Sequence, residues 1–421
     1  MSRASLKAKL REAFPALGIK NYRYFWLGQM VSLIGTWMQT SAQAWLVLEI
    51  TDSPLLLGLL GVAQFTPVLL FSLLAGVFVD RFSKRTLLLY TQAISMGLAF
   101  VLALLVLSGR VAYWQVFLVS LSLGIIKTVD IPARQSFMTE LVGKKNLLNA
   151  IALNSTIFNL ARIVGPVLSG MMMGWVGAGW CFFINGVTFL AVLIGLWKIE
   201  LPNVGFRKTR ERVLPELLAG LRYVLRHRTL FETIALLAIA SIFTMNYNVW
   251  IPVLARNQLG LGASGYGFLM ASLGVGAVIG SLLLASNSRK GIRQGLLRAL
   301  PILTALLLIM TGLTKQYGLA VVLVAGIGML NTAFTTTANS SMQVLSDDEY
   351  RGRVMSLYAL VFTGSSPIGN TFVGWLSDAY TVSPALILSG SLALILLVFT
   401  GLVSRNGKKT RSRDSAFQGD S

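Results

Sequence analysis

The chain has 421 residues, of which 55% are hydrophobic and only 12% are charged. A soluble protein of this length would need more polar surface to cover its core, so the composition excludes that class. The formal net charge of +20 comes from short basic stretches between apolar segments. This distribution indicates membrane orientation rather than nucleic-acid binding. One cysteine and one histidine allow neither a disulfide framework nor a metal cluster.

Long apolar runs recur along the chain, and a run of about 20 residues crosses the ~30 Å hydrocarbon core of a membrane as a helix. Helices satisfy their own backbone hydrogen bonds in lipid, which such spans require. We therefore predict an all-α integral membrane protein with about twelve transmembrane helices. The predicted spans are 24–48, 54–79, 86–108, 112–138, 146–172, 176–198, 229–254, 264–285, 294–313, 316–340, 352–377 and 382–404.

Lysine and arginine are concentrated in alternate loops, whereas the opposite loops contain little beyond Arg110, Arg256 and Lys315. By the positive-inside rule, both termini are expected in the cytoplasm. The longest polar stretch contains LPELLAGLRYVLRH (214–227), whose apolar face predicts an amphipathic helix at the membrane surface. A solvated linker with some helicity is the alternative.

These patterns divide the chain into five segments. The two apolar halves are similar to each other at an offset of roughly 205 residues, as expected of an internal transporter repeat. The polar, basic C-terminal tail predicts disorder. The segments are a cytoplasmic N-terminus (1–23), an N-terminal six-helix bundle (24–198), a cytoplasmic linker with the amphipathic helix (199–228), a C-terminal six-helix bundle (229–404) and the disordered tail (405–421).

The stretch GVFVDRFSKR (76–85) places four charged residues within six positions between two apolar spans. Charges are costly in hydrocarbon, so this stretch belongs at a membrane boundary. Gly76 is expected to let two helices approach closely. Asp80, at a helix end, can pair with cations or with the positive N-terminus of another helix. Ser346 and Glu349 have the spacing of a capping box, which predicts such a helix start in the second half.

Much of the chain resembles the major facilitator superfamily. The residues that match its motif A are Gly76, Asp80, Arg81, Lys84 and Arg85, with Ser83 where a glycine is usual. Segments similar to the exporter branch that includes enterobactin exporters and macrolide efflux proteins are GTWMQTSAQAWLVLEITDSP (35–54), DIPARQSF (130–137), NAIALNSTIFNLARIVGP (149–166) and CFFIN (181–185). The resemblance implies a major facilitator fold of two pseudo-symmetric bundles. It also implies a conformational latch in which Asp80 contacts Arg351, Arg353 or the helix end beside them. An ordinary positive-inside loop is the alternative.

A second motif, GPVLSG (165–170), resembles motif C of the antiporters. Its Gly–Pro pair interrupts a helix hydrogen bond and permits bending and tight packing. The residues concerned are Gly165, Pro166 and Gly170, and Pro367 in SSPIGN (365–370) is their counterpart in the second half. A packing face of small residues is the alternative.

Polar residues within the predicted spans indicate a site inside the membrane. Gln29, Ser32, Thr36, Gln39 and Gln43 recur every three or four residues along the first span, so they share one helix face. Such a face must meet either the protein interior or a water-filled cavity. The candidates for a substrate cavity are Gln39, Gln43, Gln64, Arg162, Asn246, Asn248 and Asn331. Contact between helices is the alternative for each.

The ionisable residues in the spans allow two interpretations. Lys127, Asp130 and Arg134 share one helix face, as either a structural ion-pair network or a proton site. Arg162 has no acid one turn away, and it either binds an anionic substrate or tunes a carboxylate. Glu49 or Asp52 would meet it if the first and fifth spans touched. The candidates for proton coupling are Glu49 and Asp130.

The resemblance and the polar spans together predict a secondary active transporter. It is expected to export a small amphipathic organic molecule, a drug-like compound or a siderophore, across the cytoplasmic membrane by alternating access with proton antiport. The chain has no G-x-x-x-x-G-K-[ST] loop, which excludes ATP coupling by that route. We expect a monomer in a bacterial inner membrane, with substrate, lipid and protons as partners and with no nucleic acid, cofactor, metal or enzymatic activity. The alternatives are uptake or lipid flipping by the same fold, or a non-transporting membrane scaffold.

Overall fold

The computed structural model describes residues 14–200, 213–286 and 294–417, and within these ranges the regular structure is entirely helical. The predicted all-α class is therefore confirmed. The helices are α1 (Lys20–Thr51), α2 (Pro54–Asp80), α3 (Lys84–Leu107), α4 (Tyr113–Val176), α5 (Ala178–Trp197), α6 (Val213–Arg226), α7 (Arg228–Phe243), α8 (Tyr247–Val253), α9 (Ala263–Ser286), α10 (Gln294–Leu313), α11 (Tyr317–Val344), α12 (Arg351–Tyr380) and α13 (Val382–Phe417). A 3-10 turn, Pro15–Gly18, precedes α1, and a π-helical turn, Leu254–Gln258, follows α8.

Nine helical segments in the described ranges are long and apolar enough to cross a membrane. The longest of them, α4, has 64 residues and contains non-helical backbone at Gly143, with φ 65° and ψ 171°. Glycine adopts this φ without steric cost, so the chain can leave the helix there. The parts on either side, 113–142 and 144–176, each exceed the ~20 residues that a span needs. The total number of spans stays a prediction.

The chain forms two compact units. Unit 1 contains Met1–Asp52, Ala63–Glu211 and Leu261–Ala271, and unit 2 contains Ser53–Val62, Arg212–Gly260 and Ser272–Ser421. Each unit therefore includes a short segment from the opposite half of the sequence. These segments come from α2 and α9, each of which is one uninterrupted apolar helix that contributes residues to both units. Hydropathy therefore cannot predict where one unit ends and the other begins.

In unit 1, α1 packs closely against α4 and α5. A side chain at Gly28 would meet the carbonyl oxygen of Ala191 at 2.7 Å, so the backbones of α1 and α5 touch there. About one turn before Gly28 in α1, Phe25 packs edge-to-face on Phe137 with 5.4 Å between ring centroids. Small residues at such crossings increase van der Waals contact, which is what holds helices together in lipid.

In unit 2, glycine contacts join α9 and α11, and an ion pair joins α7 and α10. Gly276 and Gly280 face the backbone of α11, where side chains would collide. The guanidinium of Arg298 binds both carboxylate oxygens of Glu232, with Nη2 and Oε2 2.8 Å apart. The Glu232 side chain is only 8% exposed. The sequence alone does not pair Glu232 with Arg298, because the two residues are 66 positions apart. From the sequence, Glu232 is only a residue near the end of a span.

The predicted repeat has a counterpart in the turns after α4 and α12. Gly177 has φ 90° and ψ 165°, and Thr381 has φ 93° and ψ 165°. The two positions are 204 residues apart (381 − 177), close to the offset predicted from the sequence. Threonine is strained at this φ, whereas glycine is not.

Three expectations about helix boundaries differ from the structure. Ser346 and Glu349 do not start a helix: α12 begins at Arg351 after Tyr350, without a side-chain cap. The Ser346 hydroxyl instead donates to the carbonyl oxygen of Met342, 2.5 Å away at the end of α11. The span predicted at 229–254 is interrupted, because α7 ends at Phe243 and α8 begins at Tyr247.

The third difference is at the C-terminus, where the composition of 405–421 predicts disorder but α13 continues to Phe417. The segments 1–13, 201–212, 287–293 and 418–421, which include much of the predicted N-terminus and linker, lie outside the described residues.

Candidate functional site

The motif A residues surround the turn between α2 and α3 in unit 1. Asp80 is the last residue of α2 and is half-buried, and Arg81 is exposed. Arg85 donates from Nε to the Leu196 carbonyl oxygen (2.7 Å) and from Nη2 to that of Trp197 (2.9 Å). These carbonyls end α5, where the helix dipole attracts a cation. Lys84 lies 3.8 Å from the Glu140 carboxylate. Both residues therefore fix the start of α3 to its neighbours.

Two further predictions for motif A concern a close helix crossing at Gly76 and an ion pair of Asp80. Gly76 does not mark a close helix crossing: a side chain there would meet no described atom within 4 Å. The close approach by α2 occurs instead at Gly58, where a side chain would be 3.1 Å from the carbonyl carbon of Asn370. Asp80 forms no ion pair with any residue that the structure describes in unit 1. The latch stays a prediction.

The proposed partners of Asp80 have contacts of their own in unit 2. The Arg351 Nη2 is 2.5 Å from the Asp348 carboxylate, and its Nε donates to the Gln343 carbonyl oxygen at 3.0 Å. The Arg353 guanidinium lies over the Tyr350 ring, 5.2 Å from its centroid. Any contact to Asp80 must therefore compete with these interactions.

The predicted amphipathic helix is α6, and it is docked on unit 2 beside these arginines. The Tyr223 ring stacks on Tyr350, with centroids 4.4 Å apart and planes inclined by 8°. Its hydroxyl donates to the Asp347 carboxylate (3.0 Å) and accepts from the Asp347 backbone N–H (3.1 Å). Gly220 provides the clearance, since a side chain there would be 2.9 Å from the Arg353 Cβ. The segment is thus a packed helix, and not a solvated linker.

The motif C residues lie at two close crossings in unit 1. A side chain at Gly165 would be 2.9 Å from the Met38 backbone nitrogen on α1. Gly170 faces α9, where the Ser264 hydroxyl donates to its carbonyl oxygen at 3.1 Å. The helices continue through Pro166 and Pro367, so tight packing is present at this motif while bending stays a prediction.

The polar stripe of α1 lies in the packed interior of unit 1. Asn185 Nδ2 donates to Gln39 Oε1 at 2.7 Å, and Gln43 Nε2 donates to the Ser120 hydroxyl. Both glutamines are at most 5% exposed. Of the two alternatives that the sequence left open, the structure shows contact between helices. Gln64 on α2 is half-buried.

Asp130 is the centre of a saturated network. Its Oδ1 accepts hydrogen bonds from the Thr91 hydroxyl (2.8 Å) and from Gln92 Nε2 (2.7 Å). Its Oδ2 accepts from Arg134 Nε (3.1 Å) and Nη2 (2.5 Å). Each carboxylate oxygen therefore has two protein partners, which is the geometry of the structural ion-pair network. Proton coupling by Asp130 stays a prediction.

Glu49 has a different environment at the end of α1. It is exposed, and it accepts one hydrogen bond, from Trp45 Nε1 at 2.6 Å. Neither Glu49 nor Asp52 pairs with Arg162, whose Nε and Nη2 are buried without a partner among the described residues. The second part of α4, which carries Arg162, contacts α1 at Trp37 and Met38, beside Gly165. Glu49 lies twelve residues beyond Trp37 (49 − 37), which is about 18 Å along a helix.

The interruption between α7 and α8, which the sequence did not predict, forms a polar site in unit 2 around the predicted cavity candidates Asn246 and Asn248. Asn246 is buried, and its Nδ2 donates to the Ile242 carbonyl oxygen at 2.5 Å. Gly369 of α12 permits the contact, since a side chain there would be 2.6 Å from the Asn246 amide. Asn248 Oδ1 and Asn331 Nδ2 are buried without partners among the residues described. Irregular backbone at membrane depth is tolerated where protein covers it or water reaches it.

Comparison with known proteins identifies the family to which these helices and motifs belong. The family model described as transmembrane secretion effector matches residues 12–417. The chain belongs to this family. The predicted resemblance to the major facilitator superfamily is therefore confirmed, and the protein is a multi-pass membrane transporter by family.

Its relatives among characterised proteins include two siderophore transporters. The chain is 28% identical to the enterobactin exporter EntS of Escherichia coli O1:K1 / APEC over 334 residues, which is 79% of each chain. It is 24% identical to the staphyloferrin A transporter of Staphylococcus aureus (strain NCTC 8325 / PS 47) over 381 residues, 90% of this chain and 95% of that one.

The solved structures confirm the fold. An inward-facing, unoccupied bacterial homologue of the human lysosomal transporter Spinster superposes with a TM-score of 0.72 at 14% identity, over 93% of this chain and 97% of that one. A bacterial homologue of the iron transporter ferroportin gives 0.68 at 14% identity, over 92% and 99%. Both are major facilitator structures, so the predicted fold is confirmed.

Proposed function

We propose that this protein is a secondary active transporter that exports a small amphipathic organic molecule across the bacterial inner membrane by alternating access. The cargo is of the siderophore or drug-like type, because the named relatives are an enterobactin exporter and a staphyloferrin A transporter. Both termini are cytoplasmic in this proposal, and the protein acts as a monomer.

The observation that carries the proposal is the polar site at the interruption between α7 and α8. Unsatisfied amide atoms inside an apolar helix bundle cost free energy, so a protein retains them for a reason. Interrupted helices in transporters place such groups at the substrate or coupling-ion site. A scaffold that transports nothing has no use for them. Residues proposed to reach the cargo are Gln64, Arg162, Asn246, Asn248 and Asn331, joined by Gln39 and Gln43 when their present contacts open.

Proton antiport is the proposed energy source, and Glu49 is the better of the two candidate carboxylates. Its carboxylate is exposed to water and accepts one hydrogen bond among the described residues, from Trp45. Asp130 would first have to release four donors, including the Arg134 guanidinium.

Asp80 is proposed to hold one conformation through a contact to Arg351, Arg353 or the start of α12. Asp80→Asn should leave the protein inserted and expressed while transport falls strongly, since the charge is removed at nearly constant size. Asp348→Asn removes an exposed carboxylate that competes for Arg351, so it should not reduce transport and serves as the opposite-direction comparison. Undiminished transport by the Asp80 variant would contradict the latch.

The export proposal is tested in inverted membrane vesicles with an imposed pH gradient, using radiolabelled enterobactin, staphyloferrin A and a macrolide. We expect accumulation of at least one compound, abolished by a protonophore. The double variant Asn248→Ala and Asn331→Ala should lose accumulation. The control is Gln343→Ala, an exposed residue further along α11.

The outcomes separate the alternatives. Accumulation only in right-side-out vesicles would show uptake and refute export. Accumulation that a protonophore leaves unchanged would refute antiport alone. No movement of any compound in either orientation would refute the transporter assignment for these cargo classes.

A further inference from the structure

The second part of α4, residues 144–176, carries a polar face. Ser155, Asn159 and Arg162 follow one another at spacings of four and three, which places them on one side of the helix. Ser155 is exposed, and Asn159 and Arg162 are half-buried. Polar residues at the surface of an apolar span avoid hydrocarbon and face water or a polar ligand.

Arg162 is the unusual member of this face. Its Nε and Nη2 are buried, and no residue that the structure describes accepts a hydrogen bond from them. Arg134 and Arg298, also in the spans, each bind a carboxylate. Arginine stays charged in proteins. Leaving these two N–H groups buried without an acceptor costs free energy, so an anion that accepts from them would remove that cost.

The surroundings of Arg162 define the rest of the site. Asn159 uses one amide N–H for the Ser155 carbonyl oxygen (2.9 Å), which leaves its second N–H for a ligand. Phe158 lies one turn before Arg162 and is 44% exposed. Its ring packs edge-to-face with Trp37, at 5.6 Å between centroids and 76° between planes. A cation, an amide donor and an aromatic edge thus lie within one helical turn.

We propose that this face is an anion-binding subsite, in which Arg162 and Asn159 bind an oxyanion group of the cargo while Phe158 and Trp37 contact its flat apolar part. The cargo class is therefore an aromatic or other planar organic anion. The guanidinium fork suits a two-oxygen anion such as a carboxylate. The proposal rests on the export function, since it specifies the cargo of that transporter.

The test measures binding and needs no transport. Purified full-length protein in phosphatidylcholine nanodiscs is titrated with 1-naphthoate and with its neutral analogue 1-naphthamide, and binding is followed by calorimetry. We expect naphthoate to bind about tenfold more tightly or better, as hydrogen bonds to charged groups imply. Arg162→Gln should abolish this preference. Arg162→Lys should keep part of it, because the charge remains without the fork. Arg110→Gln, which removes an exposed arginine outside the spans, is the control.

Further variants keep the proposal falsifiable if Arg162→Gln does not fold. Phe158→Ala should weaken both ligands by a similar factor, and Asn159→Ala should weaken naphthoate only. The same titration in nanodiscs with phosphatidylglycerol tests whether a lipid phosphate is the anion. Loss of the naphthoate preference there would assign the site to lipid and overturn the proposal.

The subsite is overturned if wild-type protein prefers neither ligand, if neither ligand binds, or if the preference survives Arg162→Gln. Failure of the export proposal has a different result. A protein that binds naphthoate through Arg162, yet moves no compound in the vesicle assay, would retain the subsite and lose the transporter assignment.

Discussion

Replacement of Asp130 by asparagine tests whether this carboxylate is structural or carries protons. Asparagine has nearly the same size, but it offers one acceptor oxygen where aspartate offers two. In the structure each Asp130 oxygen serves its own pair of donors: Thr91 and Gln92 on Oδ1, and two Arg134 nitrogens on Oδ2. The NH2 group of the asparagine must therefore point at N–H or O–H donors in place of one of the two oxygens. Arg134 also loses its counter-ion.

The magnitude follows from that geometry. Removing one partner of a buried ion pair costs about 3–5 kcal/mol. The Arg134 side chain is 24% exposed, so water compensates in part and the lower end of the range, about 3 kcal/mol, applies. Glu49→Gln is the matched control, because Glu49 is exposed and the glutamine oxygen can still accept the hydrogen bond from Trp45, so the loss should stay within about 1 kcal/mol.

Thermal unfolding of the purified proteins, followed by tryptophan fluorescence, measures the difference. We expect Asp130→Asn to melt well below the wild type and Glu49→Gln to melt close to it. Adding Arg134→Gln to the Asp130 variant should recover part of the loss, because the unpaired cation is removed. An Asp130→Asn protein that melts like the wild type and has lost the pH dependence of transport would refute the structural assignment.

Four further substitutions test the packing and the polar contacts. Thr381→Gly should raise the free energy of unfolding by about 1 kcal/mol, because relief of the strained φ exceeds the entropy cost of a glycine. Gly177→Thr should lower the free energy of unfolding for the same reason. Equal effects of the same sign would contradict the strain argument. Tyr223→Phe should speed amide hydrogen exchange in α6 about fivefold, since the hydroxyl bond to Asp347 is lost, with α5 unchanged as the internal control. Glu232→Gln should weaken the link between α7 and α10 and lower the melting temperature, and an unchanged value would show that the pair with Arg298 contributes nothing net.

The sequence by itself determined the all-helical membrane class, most helix boundaries, the repeat and the family. These features depend on hydropathy and on short motifs, which are local properties of the chain. GVFVDRFSKR and GPVLSG are recognisable for the same reason, since each motif is a short local pattern, although Arg85 binds carbonyl oxygens 111 and 112 positions away.

Only the tertiary structure decided what each polar side chain contacts. Gln39 bonds to Asn185, 146 positions away, and Glu232 to Arg298, 66 positions away. No periodicity within one helix specifies such partners, because they depend on which helices pack together. The same holds for the interruption at 244–246, which is stabilised by Gly369 from a distant helix. Arg162 shows the limit most clearly: its residue type indicates an anion site, but only the packed helices show that its Nε and Nη2 have no partner among the described residues.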